Sequence, residues 1–147
     1  WGKILGINSK VNIENFAKKY GNFFENIAED KIDVLNTLCT KDILFKDPFN
    51  SFTGLEKFKK VFQHMYKQSV DPKFSVVDIS ASNSTAYMKW VFSNGKLIKI
   101  EGVSEVKFNE EGLVCSHIDH WDSASQIFIK IPILKYFIRY LIKKFSI

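Results

Sequence analysis

Two places in the chain combine residue types that can move protons. Asp47 stands before Pro48 at the end of the apolar run Ile43-Leu44-Phe45-Lys46, and farther along comes His117-Ile118-Asp119-His120-Trp121-Asp122. Side chains alternate sides in an extended segment, so His117, Asp119 and Trp121 share one face and Ile118, His120 and Asp122 the other. A carboxylate two positions from an imidazole can orient it or meet the same ligand, and Trp121 supplies a flat wall. A carboxylate facing an apolar hollow is also a stronger base than one in water, able to take a proton from the carbon next to a carbonyl. That is acid–base chemistry on a carbonyl compound, with Asp47, His117 and Asp119 as the catalytic candidates. Each group has a bland reading as well. Asp-Pro commonly opens a turn in which the Asx side chain bonds the backbone, and a His–Asp pair on a strand lip can satisfy itself while Trp121 fills the core.

Helices come first among the elements that must position these groups. Asn12 is placed to cap a helix whose apolar residues Ile13, Phe16, Ala17, Tyr20, Phe23, Phe24 and Ile27 recur at three- and four-residue steps. Glu29-Asp30-Lys31 ends it, and Ile32, Leu35, Leu38 and Cys39 mark a short second helix. Residues 43–47 read as a strand closed by Pro48. After Gly54, the spacing of Leu55, Phe58, Val61, Phe62 and Met65 predicts a third helix. From Lys73 the period becomes alternating, which predicts four antiparallel strands at about 73–82, 84–93, 96–108 and 113–122, with Asn94-Gly95 as a two-residue hairpin turn. Helices then strands make an α+β protein. Its antiparallel sheet should curl around the three helices and leave an apolar hollow.

Composition bounds the alternatives. With 147 residues, 46% apolar and 15% aromatic, the chain suits one domain with a large apolar interior. The net charge of +5 arises entirely after residue 122, from Lys130, Lys135, Arg139, Lys143 and Lys144 with no acid among them. The charge-balanced body counts against a nucleic-acid reader. Residues 123–147 are too apolar for an ordinary surface helix. A helix beginning at Pro132 could lie on anionic lipid, or pack on the outer sheet or a partner subunit with its lysines snorkelling. Cys39 and Cys115 give no disulfide framework, so a cytoplasmic setting, peripheral at the membrane if the tail binds lipid, is the simplest expectation. The chain opens at Trp1 rather than Met, which leaves a preceding segment open. Zinc-like spacings, phosphate-binding loops and a nucleophile elbow are absent from the sequence, and neither metal nor cofactor is expected.

The order of elements, the run Asn22 to Phe49 and the segment His117 to Asp122 resemble the nuclear transport factor 2-like superfamily. They are most similar to its SnoaL-like branch, which includes ketosteroid isomerase and polyketide cyclases. The likeness covers about residues 12–122, with 123–147 as a basic helical extension of one domain spanning 1–147. It implies a cone-shaped sheet around three helices, and it puts His117, Asp119 and Trp121 on the inner face; a bulge near Ser116 would exchange the faces. The isomerase's general base falls on Asp47. Its oxyanion-binding tyrosine falls on Phe23 and its partner acid near Ser104, so the paired oxyanion hole of that isomerase is missing in its usual form. Ser104 and Tyr20 are the available substitutes. Tyr20, Phe23, Phe58, Phe62, Met88, Trp90, Ser104 and Trp121 are therefore the expected ligand-contacting residues. The resemblance implies a cofactor-free isomerase- or cyclase-like enzyme for an apolar carbonyl compound. The alternatives are a lipid or hydrophobic-metabolite carrier and a dimeric interaction domain, and a homodimer is expected under each.

Overall fold

The switch from three-and-four spacing to alternation near residue 72 sets helices against one face of a sheet. The computed structural model describes residues 2–95 and 98–146, with side chains from residue 12 onward. In chain order it contains α1 (Gly2–Glu25), a 3-10 segment (Glu29–Val34), α2 (Leu35–Leu38), β1 (Cys39–Lys46), β2 (Ser51–Thr53) and α3 (Leu55–Gln68). Then follow β3 (Pro72–Ser82), β4 (Thr85–Asn94), β5 (Ile98–Phe108), β6 (Val114–His120), α4 (Ser123–Gln126), a 3-10 turn (Phe128–Lys130) and α5 (Leu134–Phe145). The strands form one curved, unclosed sheet in the order β2-β1-β6-β5-β4-β3. The stretch β3 to β6 is the expected antiparallel meander. β1, however, runs parallel to β6, so the sheet is mixed.

Several local expectations are corrected. α1 begins at Gly2, so Asn12 lies inside the helix instead of capping it; no proline precedes it to force a later start. Cys39 opens β1, since the helical spacing ends at Leu38. The three-residue β2 has too short a pattern to be visible in sequence. Asn94 stays in β4, paired with Ile98, so only Gly95 of that dipeptide turns, at φ 58°. The first two residues of the expected strand 96–108 lie outside the described residues. A two-residue turn does occur at Asn83-Ser84, where Asn83 takes φ 55° between the paired Ser82 and Thr85. α5 starts two residues after Pro132.

Packing follows the apolar spacing. Ile13, Ala17, Tyr20 and Phe24 on α1 and Phe58 and Phe62 on α3 are buried against the concave face with Phe45, Met88, Val106 and Phe108. Lys59 is the polar exception. Its stem is buried while its ammonium bridges Asp33 at 3.0 Å and Glu56 at 3.1 Å, tying α3 to the 3-10 segment; the hydrogen bond to Asp33 is the main cause that raises its pKa.

Candidate active site

Strand register assembles the site. Within β6, alternation turns His117 and Asp119 to the concave side, and antiparallel pairing sets Asp119 opposite Ser104 on β5. Ser104 in turn lies opposite Met88 on β4, and Trp90 opposite Gly102. On the other flank, the parallel pairing of β1 sets Phe45 beside His117. Four adjacent strands thus contribute to one patch.

A directed chain of hydrogen bonds runs through it. Trp90 Nε1–H donates to Ser104 Oγ at 2.8 Å, and the Ser104 hydroxyl donates to Asp119 Oδ1 at 2.5 Å. His117 Nε2 lies 2.9 Å from the same Oδ1. A carboxylate only accepts, so Nε2 carries the proton; in the neutral ring Nδ1 then accepts from the Tyr20 hydroxyl, 2.8 Å away. Burial above all, with the thiol of Cys39 and the charge of Asp119 adding to it, pushes the Tyr20 pKa well above the usual phenol range, so this donor keeps its proton. His117 is only 3% exposed and is ringed by Tyr20, Phe24, Phe45 and Phe58, with centroids 5.5 to 5.7 Å from its own. Both arms converge on Oδ1. Oδ2 of Asp119 has no hydrogen-bond partner among the described residues, and the side chain keeps 20% exposure.

Asp119 lines a cavity of about 250 Å³, walled by Phe24, Phe45, Phe62, Met65, Phe74, Val76, Met88, Trp90, Phe92 and Ile100. Its polar lining is Ser104, His117, Asp119 and Asp47, with Trp121 beside them. Among the lining side chains described, only the Trp121 indole N–H lacks an internal acceptor.

The expected site residues fall into three groups. His117, Asp119, Ser104, Trp90, Met88, Phe62 and Trp121 come together at the cavity. Asp47 also reaches it, but its carboxylate holds the turn that follows: Oδ1 accepts from the amides of Phe49 at 2.7 Å and Asn50 at 2.6 Å, and the Asn50 Nδ2 lies 3.0 Å from both oxygens. Phe23, Phe58 and Tyr20, also expected to contact a ligand, are not in the lining. Helical geometry turns Phe23 into the packing against Phe24 and places Phe58 behind His117, while Tyr20 reaches the site only through the imidazole. Among the described residues no cluster of three His, Cys, Asp or Glu could hold a metal.

Sequence reasoning missed Gly102, although a glycine inside a strand often marks close backbone approach. A Cβ there would sit 2.5 Å from the Trp90 ring and 3.0 Å from the His120 carbonyl. The Gly102→Ala variant is expected to displace the indole, break its bond to Ser104 and cost about 1–3 kcal/mol, measured by chemical denaturation with tryptophan fluorescence.

Cys39, buried beneath Tyr20, gives a second prediction. Burial pushes its thiol up from 9.0 to about 12. The raised value means the folded chain holds this proton more tightly than the unfolded chain does. The contribution is therefore fully present below about pH 9 and lost as pH rises toward 12. Denaturation midpoints measured from pH 8 upward should fall with pH, and Cys39→Ala should flatten that slope.

Residues 20–117 match the model of the SnoaL-like domain, and the chain belongs to that family. Solved structures with the same fold include a steroid delta-isomerase from Pseudomonas aeruginosa at 13% identity, which covers 91% of this chain and 93% of that one with a TM-score of 0.61. An LEH-like epoxide hydrolase from M. tuberculosis is 12% identical and covers 80% and 87%, with a TM-score of 0.63. An NTF2-like protein from Exiguobacterium sp. 255-15, of unknown function, is 17% identical over 73% and 98%, with a TM-score of 0.62. No curated protein matches by sequence. At such identities the likeness establishes the fold alone, and this fold carries unrelated chemistries.

Proposed function

We propose that the protein is a cofactor-free acid–base enzyme that abstracts a proton from the carbon next to a carbonyl in an apolar small molecule. One observation carries the reading: Asp119, in the lining of an apolar cavity, keeps one carboxylate oxygen unshared while two donors fix the other. Oδ2 takes the α-proton, and the C–H electron pair moves into the enolate. The proton then returns to another carbon, or the enolate carbon attacks a second carbonyl. His117 and Ser104 hold the carboxylate in place, Tyr20 and Trp90 hold them, and the Trp121 indole N–H is the donor available to the enolate oxygen. Asp47, committed to its turn, shapes the mouth and supplies a second negative charge there.

A single neutral donor is a weak oxyanion site compared with a phenol paired with a protonated acid. The favoured substrates are therefore those whose α-protons are already acidic, such as aryl-activated ketones and β-dicarbonyl compounds. A steroid delta-isomerase among the solved structures with this fold supports an isomerase-type reaction for this chain. The test is deuterium incorporation from D2O into 2-tetralone, followed by NMR. Exchange above the buffer rate that saturates with the ketone supports the proposal. Saturable binding without exchange would leave a carrier and sink the enzymatic reading.

A further inference from the structure

We infer that residues 130–145 dock the protein on an anionic lipid bilayer, with α5 lying in the plane of the interface. Four observations converge on it. The segment carries Lys130, Lys135, Arg139, Lys143 and Lys144 without an acid, whereas the preceding 122 residues are neutral overall. At 100° per residue, Leu134, Phe137, Ile138, Leu141, Ile142 and Phe145 fall on one arc of α5, with Lys135 and Lys144 at its two edges and Arg139 and Lys143 on the opposite side beside Tyr136 and Tyr140. No residue of α4, the 3-10 turn or α5 is buried; on the arc Leu134, Ile138 and Leu141 are half-buried, whereas Phe137 (59%), Ile142 (46%) and Phe145 (80%) are exposed, so half of the arc is left uncovered. The element on which α5 chiefly rests is the 3-10 turn.

The occupant follows from both faces together. An apolar arc alone would suit a second copy and a basic stripe alone would suit any polyanion. An anionic bilayer satisfies both, taking the apolar arc among its acyl chains and the cations at its headgroups. The described helices include none long and apolar enough to cross a membrane, and a 12-residue α5 suits lying along one. The root of the segment is fixed. Gln126 exchanges hydrogen bonds with the backbone of Glu101 at 2.6 and 3.0 Å, and Phe128 lies 6.0 Å from the Phe49 ring, itself 5.5 Å from Trp121 at the cavity. A docked α5 therefore sets the bilayer beside the cavity mouth. This inference does not rest on the acid–base reading.

The experiment is cosedimentation of the full chain with vesicles of equal parts phosphatidylcholine and phosphatidylglycerol, compared with phosphatidylcholine alone. Binding to the mixed vesicles is expected at low salt, weakened at least tenfold on the neutral vesicles and again in about 0.5 M NaCl. Replacing Lys135, Arg139, Lys143 and Lys144 by Gln should weaken it by more than 100-fold, since each basic group contributes about fivefold. Arg139, Lys143 and Lys144 are exposed, Lys135 is half-buried beside the Tyr136 ring, and none forms an ion pair among the described residues, so the thermal midpoint should hold. Absent binding, or binding indifferent to lipid charge and salt, would overturn the inference. So would a homodimer in sedimentation equilibrium that Phe137→Ser and Phe145→Ser dissociate, because the arc would then be covered by a second copy.

Discussion

The Asp119→Asn variant should lose deuterium exchange into 2-tetralone by about 10²- to 10⁴-fold, the usual contribution of a positioned general base. The folded chain should survive the change. Asn retains a carbonyl oxygen where Oδ1 stands, able to accept from His117 Nε2 and Ser104 Oγ, so the chain from Trp90 to Tyr20 keeps its geometry. What disappears is the unshared basic oxygen. The comparison with Asp47→Asn makes the assignment specific. Asp47 spends its carboxylate on the Phe49 and Asn50 amides, so its amide variant should slow exchange by less than about tenfold while weakening the 47–50 turn. If Asp47→Asn instead removed exchange and Asp119→Asn left it, the base would be Asp47, as family likeness alone suggests.

The largest stability effect is expected at Phe58. Its ring is 0% exposed, 4.8 Å from Phe45, 5.1 Å from Phe62 and 5.5 Å from His117 between centroids. Phe58→Ala removes those contacts and leaves a void behind the imidazole, which costs about 3–5 kcal/mol and lowers Tm by roughly 10 °C in a domain of this size. Differential scanning calorimetry measures the loss directly. Phe62 provides the contrast, because it borders the existing cavity. Phe62→Ala should enlarge the ligand space and cost less, since water or ligand can enter where the ring stood. Equal losses at the two positions would contradict the distinction between core and lining.

These two phenylalanines also show what the sequence could reveal. Both sit at helical spacing in one apolar pattern, so periodicity predicted α3 and its buried face. Which of the two meets the cavity depends on the height of α3 over the sheet, a tertiary fact that no local pattern records. The alternation around His117 was legible in the same way, because a period of two fixes which residues share a face. Family resemblance added the choice of side. The relay itself was not legible: Tyr20 and His117 are 97 positions apart, and Ser104 and Asp119 meet only through the register of β5 with β6. Asp47 illustrates ambiguity of another kind. Asp-Pro fits both a turn and a catalytic base, and only the partners of its oxygens separate the two. The parallel pairing of β1 with β6 escaped because the long excursion from β1 to β6 leaves no trace in either strand's own pattern.

The central claim is that an organic ligand enters the apolar cavity and presents its oxygen-bearing carbon to Asp119. A crystal structure with 2-naphthol, a flat and stable mimic of the enol of 2-tetralone, tests this most directly. The account predicts the ring system between Phe45, Phe62, Met88 and Trp90, with Asp119 Oδ2 over the ring carbons adjacent to the hydroxyl and the oxygen near the Trp121 indole. A cavity that stays empty at saturating ligand, or naphthol bound only elsewhere on the molecule, would contradict it.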